Sequence, residues 1–165
     1  MTRAIRPLRE HEWQLLRELR LRALRDSPDS FSPLAEDVAR EPDEYWQRGA
    51  RVFASQQAAL LLAERDGQAV GLVSATAAGG TGYIGAMWLD PTARGAGLGR
   101  ALLDAACKTL RDRGCAKIAL SVTETNGAAI ALYRSAGFAL TGEWKPLRPG
   151  SPLRNLEMVA RAGSE

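Results

Sequence analysis

The chain is poor in the side chains that carry most metal and nucleophile chemistry: among 165 residues there is one histidine, His11, and two cysteines, Cys107 and Cys115. Neither cysteine has metal-site or redox spacing. A zinc site or a Cys/His nucleophilic pair is therefore excluded by inventory, no metal is expected, and both cysteines read as small, semi-buried side chains. Long apolar runs are missing too, and none approaches the ~18 residues of a membrane-spanning helix. Met1–Pro7 holds no apolar h-region, so no secretory signal is expected and a cytoplasmic protein is the default. Basic residues never form a block interleaved with aromatics; the 22 lysines and arginines are scattered among 19 acidic residues. Neither nucleic acid nor a membrane is thus an expected partner. No glycine is followed by lysine anywhere, which removes the phosphate loop G-x-x-x-x-G-K-[ST].

What is present is enough apolar material, 45% of the residues, for one domain spanning 1–165. Ala4–Arg6 reads as a short strand. From about Glu10 the positions Trp13, Leu16, Leu19 and Ala23 repeat at helical spacing, until Asp26-Ser27-Pro28 signals a turn. The linker Ser27–Pro33 carries a lone Phe31. A second helical piece starts over Leu34–Val38, and Pro42–Trp46 fits a restart with proline in the first turn. Aromatics here are expected in the core, with pocket lining as the alternative. From Ala58 the period changes. Ala58–Ala63 is a continuous apolar run, Asp66-Gly67 a hairpin turn, and Val70–Thr76 a second strand in which Gly71 marks a close approach or a bulge. Ala78–Gly82 makes another turn and Tyr83–Leu89 a third strand. The helix that follows ends near Gly114 and crosses to the strand Lys117–Val122, which should run parallel to Tyr83–Leu89. A short helix, Ala128–Ser135, has capping residues in Thr125-Asn126-Gly127 and a stop at Gly137. Two final strands, Phe138–Thr141 and Asn155–Ala160, flank a Pro/Gly-rich loop.

The chemistry concentrates in Met87–Leu103. A strand that breaks at Asp90-Pro91, runs through glycines and leaves as a helix is suited to hold phosphate. Loop amides face outward, no Cβ blocks approach, and the first helical N–H groups lack partners. Arg94 and Arg100 add positive charge. A dinucleotide fingerprint, G-x-G-x-x-G, does not fit, because Gly95-Ala96-Gly97-Leu98-Gly99 brings the third glycine one place early. The antiparallel meander before the loop is also foreign to an all-parallel dinucleotide fold.

The spacing that does fit is [QR]-x-x-G-x-[GA], as Arg94-Gly95-Ala96-Gly97-Leu98-Gly99. With the preceding strand and Asp90-Pro91, it resembles the acetyl-CoA pyrophosphate loop of the GNAT family of N-acetyltransferases. A second block, Asn126, Ala129, Leu132-Tyr133 and Gly137-Phe138, resembles the N-x-x-A-x-x-L-Y-x-x-x-G-F block that follows the family's fifth strand. The two blocks stand in the family's order, one helix and one strand apart. The resemblance covers about Ala58 to Phe138 well and the flanking parts more loosely. It implies an α/β (α+β) GNAT fold, a mixed, mostly antiparallel sheet of roughly six to seven strands with splayed central strands and about four flanking helices.

For function the resemblance implies an acyl-CoA-dependent N-acetyltransferase. Acetyl-CoA would donate its acetyl group to a primary amine of a small molecule or a protein by direct attack, with no covalent enzyme intermediate. Backbone groups of Met87 and Leu89, with Trp88 between them, would line the pantetheine arm; sheet packing accounts for the same residues. The amides of Gly95, Ala96, Gly97, Leu98 and Gly99 would hold the pyrophosphate, with Arg94 and Arg100 screening its charge. Asn126 fits a cofactor contact and a helix cap equally well. Tyr133 matches the position of the family's general acid, which protonates the departing thiolate. The base is the weak point: Glu124 leads, then Glu36 and Asp37, with a water-mediated route equally open. The alternatives are a non-catalytic acyl-CoA-binding module and a transferase for a longer acyl-CoA, for which Gly85 and Ala86 leave room. The acceptor site is expected between Glu10–Arg51 and Glu143–Leu153, and a homodimer is an expectation from similar proteins.

Overall fold

Two tight turns set the register of the sheet in the computed structural model, which describes residues 2–161. Asp66 and Gly67, at φ +51° and +80°, close β2 (Ala58–Arg65) onto β3 (Gln68–Ala78). Gly79 and Gly80, at φ +58° and +80°, close β3 onto β4 (Thr81–Leu89). Both turns use the left-handed region at both central positions, which matches the twist of paired antiparallel strands. β1 (Arg3–Pro7) joins the free edge of β2, while β5 (Lys117–Thr123), β6 (Ala139–Pro146) and β7 (Arg154–Arg161) extend the other side. The result is a seven-stranded sheet in the order β1-β2-β3-β4-β5-β7-β6. Among the described residues only β4 and β5 are parallel neighbours, as two strands joined through a helix should be. The last hairpin is longer than the sequence suggests. β6 runs on to Pro146, and every one of its residues is exposed, so it has no apolar alternation to read.

Both faces of the sheet are covered, which is why Ala58–Ala63 reads as an unbroken apolar run. Leu60, Leu62, Leu72 and Trp88 pack with α1 (Trp13–Asp26), the single-turn α2 (Ala35–Val38) and α3 (Asp43–Val52). Leu61, Ala63, Val73 and Ile84 pack instead with α4 (Leu98–Asp112) and α5 (Gly127–Ser135). Cys107 and Cys115 are buried and unbridged. Among the described residues no helix is long and apolar enough to cross a membrane.

The N-terminal edge is fastened by charge. Arg6 on β1 grips Glu12, at the foot of α1, through two parallel bonds of 2.8 Å, and reaches Glu64 on β2 at 3.1 Å. The Arg6 guanidinium holds the Glu12 carboxyl down to about 2. A depressed carboxylate stabilises the fold above its ordinary value of 4.5, and that contribution drains away as pH falls toward 2. Glu12→Gln should therefore cost about 2 kcal/mol at pH 7, with the difference from the parent shrinking below about pH 4 in urea titrations.

Candidate active site

β4 and β5 pair only from Thr81 and Lys117 to Ile84 and Leu120. Just beyond, β4 sets two residues, Ala86 and Met87, against the single Val73 of β3, and Ala86 takes φ +50°. Such a bulge bends its strand. The C-terminal ends of β4 and β5 are left unpaired with each other and line a cleft of about 660 Å³. The Asp90 N–H donates to Val70 O at 2.7 Å, so Asp90 and Trp88 turn their main-chain groups toward β3. By the alternation of an antiparallel ladder, Met87 and Leu89 turn theirs into the gap. Trp88 itself sends its ring toward α1, where its Nε1 donates to Asp26 at 2.9 Å and Arg22 lies over the ring at 5.5 Å.

The floor of the cleft is the glycine loop. Asp90 Oδ1 accepts from the Thr92 hydroxyl at 2.7 Å and from the Thr92 N–H at 2.9 Å, which ends the strand and starts the turn Pro91–Ala93. These bonds, with Arg22, hold the Asp90 carboxyl below its usual range. Gly95 and Gly97 follow at φ +82° and +86°, and a Cβ on either would meet nothing within 4 Å. The space above them is open. Gly97 caps α4 without a side chain, and the first helical bond is Ala101 N–H to Gly97 O at 3.1 Å. The amides of Leu98, Gly99 and Arg100 therefore have no helical partner, and they sit at the positive end of a 15-residue helix.

Arginines brace this loop from outside. Arg3 donates to Ala96 O, and Arg65 to Thr92 O at 2.8 Å. Arg94 holds Leu89 O at 2.9 Å through Nε and Asp26 at 2.8 Å through Nη2. Asp26, which also accepts from Trp88 and Ser27, is kept below its usual carboxyl range by the Trp88 bond first of all. Arg100 pairs with Asp104 at 2.9 Å and reaches Ser135 Oγ at 3.2 Å. Both arginines expected to screen a phosphate line the cleft, but each is already matched to a carboxylate. Attraction for an anion here rests on amides and helix dipole. Gly95, Gly97 and Gly99 are on the wall, whereas Ala96 and Leu98 are not.

The opposite wall comes from α5 and from the turn after α1. Tyr133 is 7% exposed and lies edge-on to Phe138, with ring centroids 6.1 Å apart. Burial alone pushes its hydroxyl up to about 12. Asn126 caps the Ala129 N–H through Oδ1 at 3.2 Å and also lines the cleft, its Nδ2 3.5 Å from Ser30 Oγ. Thr123, the buried polar residue of β5, donates to Asp29 O at 2.6 Å. Arg148 clamps the same turn through Pro28 O at 2.6 Å, Phe31 O at 2.9 Å and Ser32 O at 3.1 Å.

The carboxylates fall differently from expectation. Glu124 is absent from the wall, which passes from Thr123 to Thr125, and its side chain accepts from Arg154, itself stacked over Trp144. Glu36 and Asp37 are exposed on α2, and Asp37 faces Arg40 at 3.8 Å. Among the described residues the acidic member of the wall is Asp29. Asp29, Thr123 and Arg148 carry no local motif, and only Phe31, a lone aromatic in a linker, signals that this turn faces something.

Residues 13–138 match the model of the Acetyltransferase (GNAT) family. A mycothiol acetyltransferase of Thermobispora bispora is 41% identical over 143 residues, covering 82% of this chain and 45% of its own length. The chain thus spans less than half the length of that curated relative. An acetyltransferase of GNAT family from Streptococcus pneumoniae shares the fold at a TM-score of 0.80 and 23% identity, over 97% of this chain and 99% of its own. A ribosomal-protein-alanine N-acetyltransferase from Brucella melitensis aligns at 0.75 and 25% identity, over 96% and 99%. Other proteins of this fold, one from Thermoplasma acidophilum among them, are solved in complex with coenzyme A.

Proposed function

The chain belongs to the Acetyltransferase (GNAT) family, and on that premise we propose that it moves an acetyl group from acetyl-CoA to a primary amine. The observation that carries this reading is the gap between β4 and β5, with an open glycine cradle at one end and the buried Tyr133 on its wall. Acetyl-CoA, when bound, supplies a thioester whose acyl carbon takes an amine lone pair and whose sulfur leaves as thiolate. The amides from Gly95 to Arg100 suit the pyrophosphate, and the outward groups of Met87 and Leu89 suit the pantetheine amides, as an added strand would. An N–H in Met87–Leu89 serves as the oxyanion donor. Tyr133 keeps its proton throughout the neutral range and gives it to the sulfur.

Glu124, engaged by Arg154, is not needed as base; the proton of the amine passes to water in an open cleft whose wall carries Asp29. The same reading takes a short acyl chain and a cytoplasmic setting. Names of relatives, for mycothiol on one side and a ribosomal-protein alanine on the other, support amine acceptors of both small-molecule and protein kinds.

Acetyl-CoA should raise the melting temperature where NAD and ATP do not, by the equivalent of about 2.7 kcal/mol at one hundred times its Kd. Equal shifts for the three ligands would remove the cofactor assignment. Release of free CoA thiol across a panel of amines then measures transfer. Tight acetyl-CoA binding with no turnover for any amine would make the chain a binding module instead.

A further inference from the structure

We propose that the acceptor amine carries a carboxylate, and that Arg20 holds it in a second cavity that meets the cleft at Ala86. The inference rests on the acetyl-transfer reading above and names the class of its acceptor. This cavity, of about 490 Å³, lies on the α1 and α3 side of the sheet, where Arg20, Tyr45, Trp46 and Ser74 form its walls. The bulged Ala86 belongs to both cavities. A second link is Phe31: it lines the cleft, and the Arg20 guanidinium sits 5.0 Å above its ring.

The chemistry of these walls is one-sided. Arg20 and Arg48 bring two guanidinium groups, Trp46 an indole N–H, and Tyr45 and Ser74 hydroxyls, with no carboxylate among the lining residues. Arg20 Nη1 and Trp46 Nε1 are both buried with no hydrogen-bond partner among the described residues. A buried cationic donor left unpaired is costly, and a fold keeps it where a ligand completes it. Burial already works against the Arg20 charge, pulling its pKa down. The remaining wall, Leu16, Val52, Phe53 and Leu60, is apolar. A ligand that satisfies all of this has an anionic group for Arg20, an apolar body, and an amine that reaches Ala86. A small apolar amino acid is of that class. A polycationic acceptor would instead bring ammonium groups against two arginines.

The test begins with probes that cannot react. In calorimetric titration, 3-phenylpropionate should bind at least about tenfold more tightly than 3-phenylpropanamide, the loss expected when a charge-assisted bond is replaced. Equal binding overturns the proposal. Arg20→Met, which keeps length and apolar contact, should erase the preference with the melting temperature unchanged or raised, and Arg20→Lys should restore part of it. A preference that survives in Arg20→Met also overturns it. With acetyl-CoA present, L-leucine, L-methionine and L-phenylalanine should outperform their amides in kcat/KM by about 10- to 100-fold in the parent and by less than about threefold in Arg20→Met. Amides that match their acids overturn the acceptor assignment. Absence of turnover with every amine, beside carboxylate binding that depends on Arg20, sinks the transferase reading and leaves the carboxylate site standing.

Discussion

Replacing Tyr133 with phenylalanine should lower kcat by about 10²- to 10³-fold while the KM for acetyl-CoA stays within about threefold. The ring is what the fold uses. It lies edge-on to Phe138 with ring centroids 6.1 Å apart, a contact that phenylalanine keeps. The melting temperature should therefore stay close to that of the parent. What disappears, on the proposed mechanism, is the proton for the leaving sulfur. With the hydroxyl pushed up to about 12, it is protonated across the whole working range. The parent rate should therefore show no alkaline loss from this group below about pH 11, and the deficit of Tyr133→Phe should be constant between about pH 6 and 9. A kcat within about threefold of the parent would mean that the thiolate departs unaided and that Tyr133 is packing alone.

The parts of the molecule that were legible are those whose cause is local. The turns at Asp66-Gly67 and Gly79-Gly80 need positive φ, and only a few residue types supply it. The loop from Arg94 to Gly99 and the cap at Asn126 are short-range devices whose spacing is their geometry. The reach of β6 to Pro146 was not legible, because a strand exposed on every residue has no buried face to give it a period. The charge balance around the cradle was hidden for another reason. Arg94 meets Asp26 across 68 positions, and nothing in the local sequence pairs them. Glu124 shows the same effect in reverse, since its partner Arg154 arrives from β7 at a separation of 30. Arg20 is the sharpest case. At helical spacing it is one of several arginines on α1, and only the packing of α3 against α1 reveals that its Nη1 is buried with no hydrogen-bond partner among the described residues.

Gly71→Val should destabilise the protein by about 3 kcal/mol, a drop of roughly 6–12 °C in melting temperature, and weaken acetyl-CoA binding at least about tenfold. Gly71 pairs with Leu89 across β3 and β4, and its Cβ would stand 2.8 Å from Trp88 O and 2.7 Å from Leu89 Cδ1. The first of these is backbone and cannot rotate away. Leu102 of α4 closes the third side at 3.3 Å. The end of β4 must therefore move, and with it the Leu89 carbonyl that Arg94 holds and the Asp90 N–H bonded to Val70. Those two bonds fix where the strand stops and the cradle begins, so the collision reaches the ligand through the loop. Two other glycines separate the causes. Gly85→Ala meets only Ser74 Oγ, a rotatable group, at 3.1 Å, and should cost under about 1 kcal/mol. Gly67→Ala meets nothing but must hold φ +80°, at a cost of about 1 kcal/mol and with acetyl-CoA binding untouched. If Gly71→Val costs no more than Gly67→Ala, then β4 slides off β3 without penalty. The bulge at Ala86, rather than the contact at Gly71, would then decide where the gap opens.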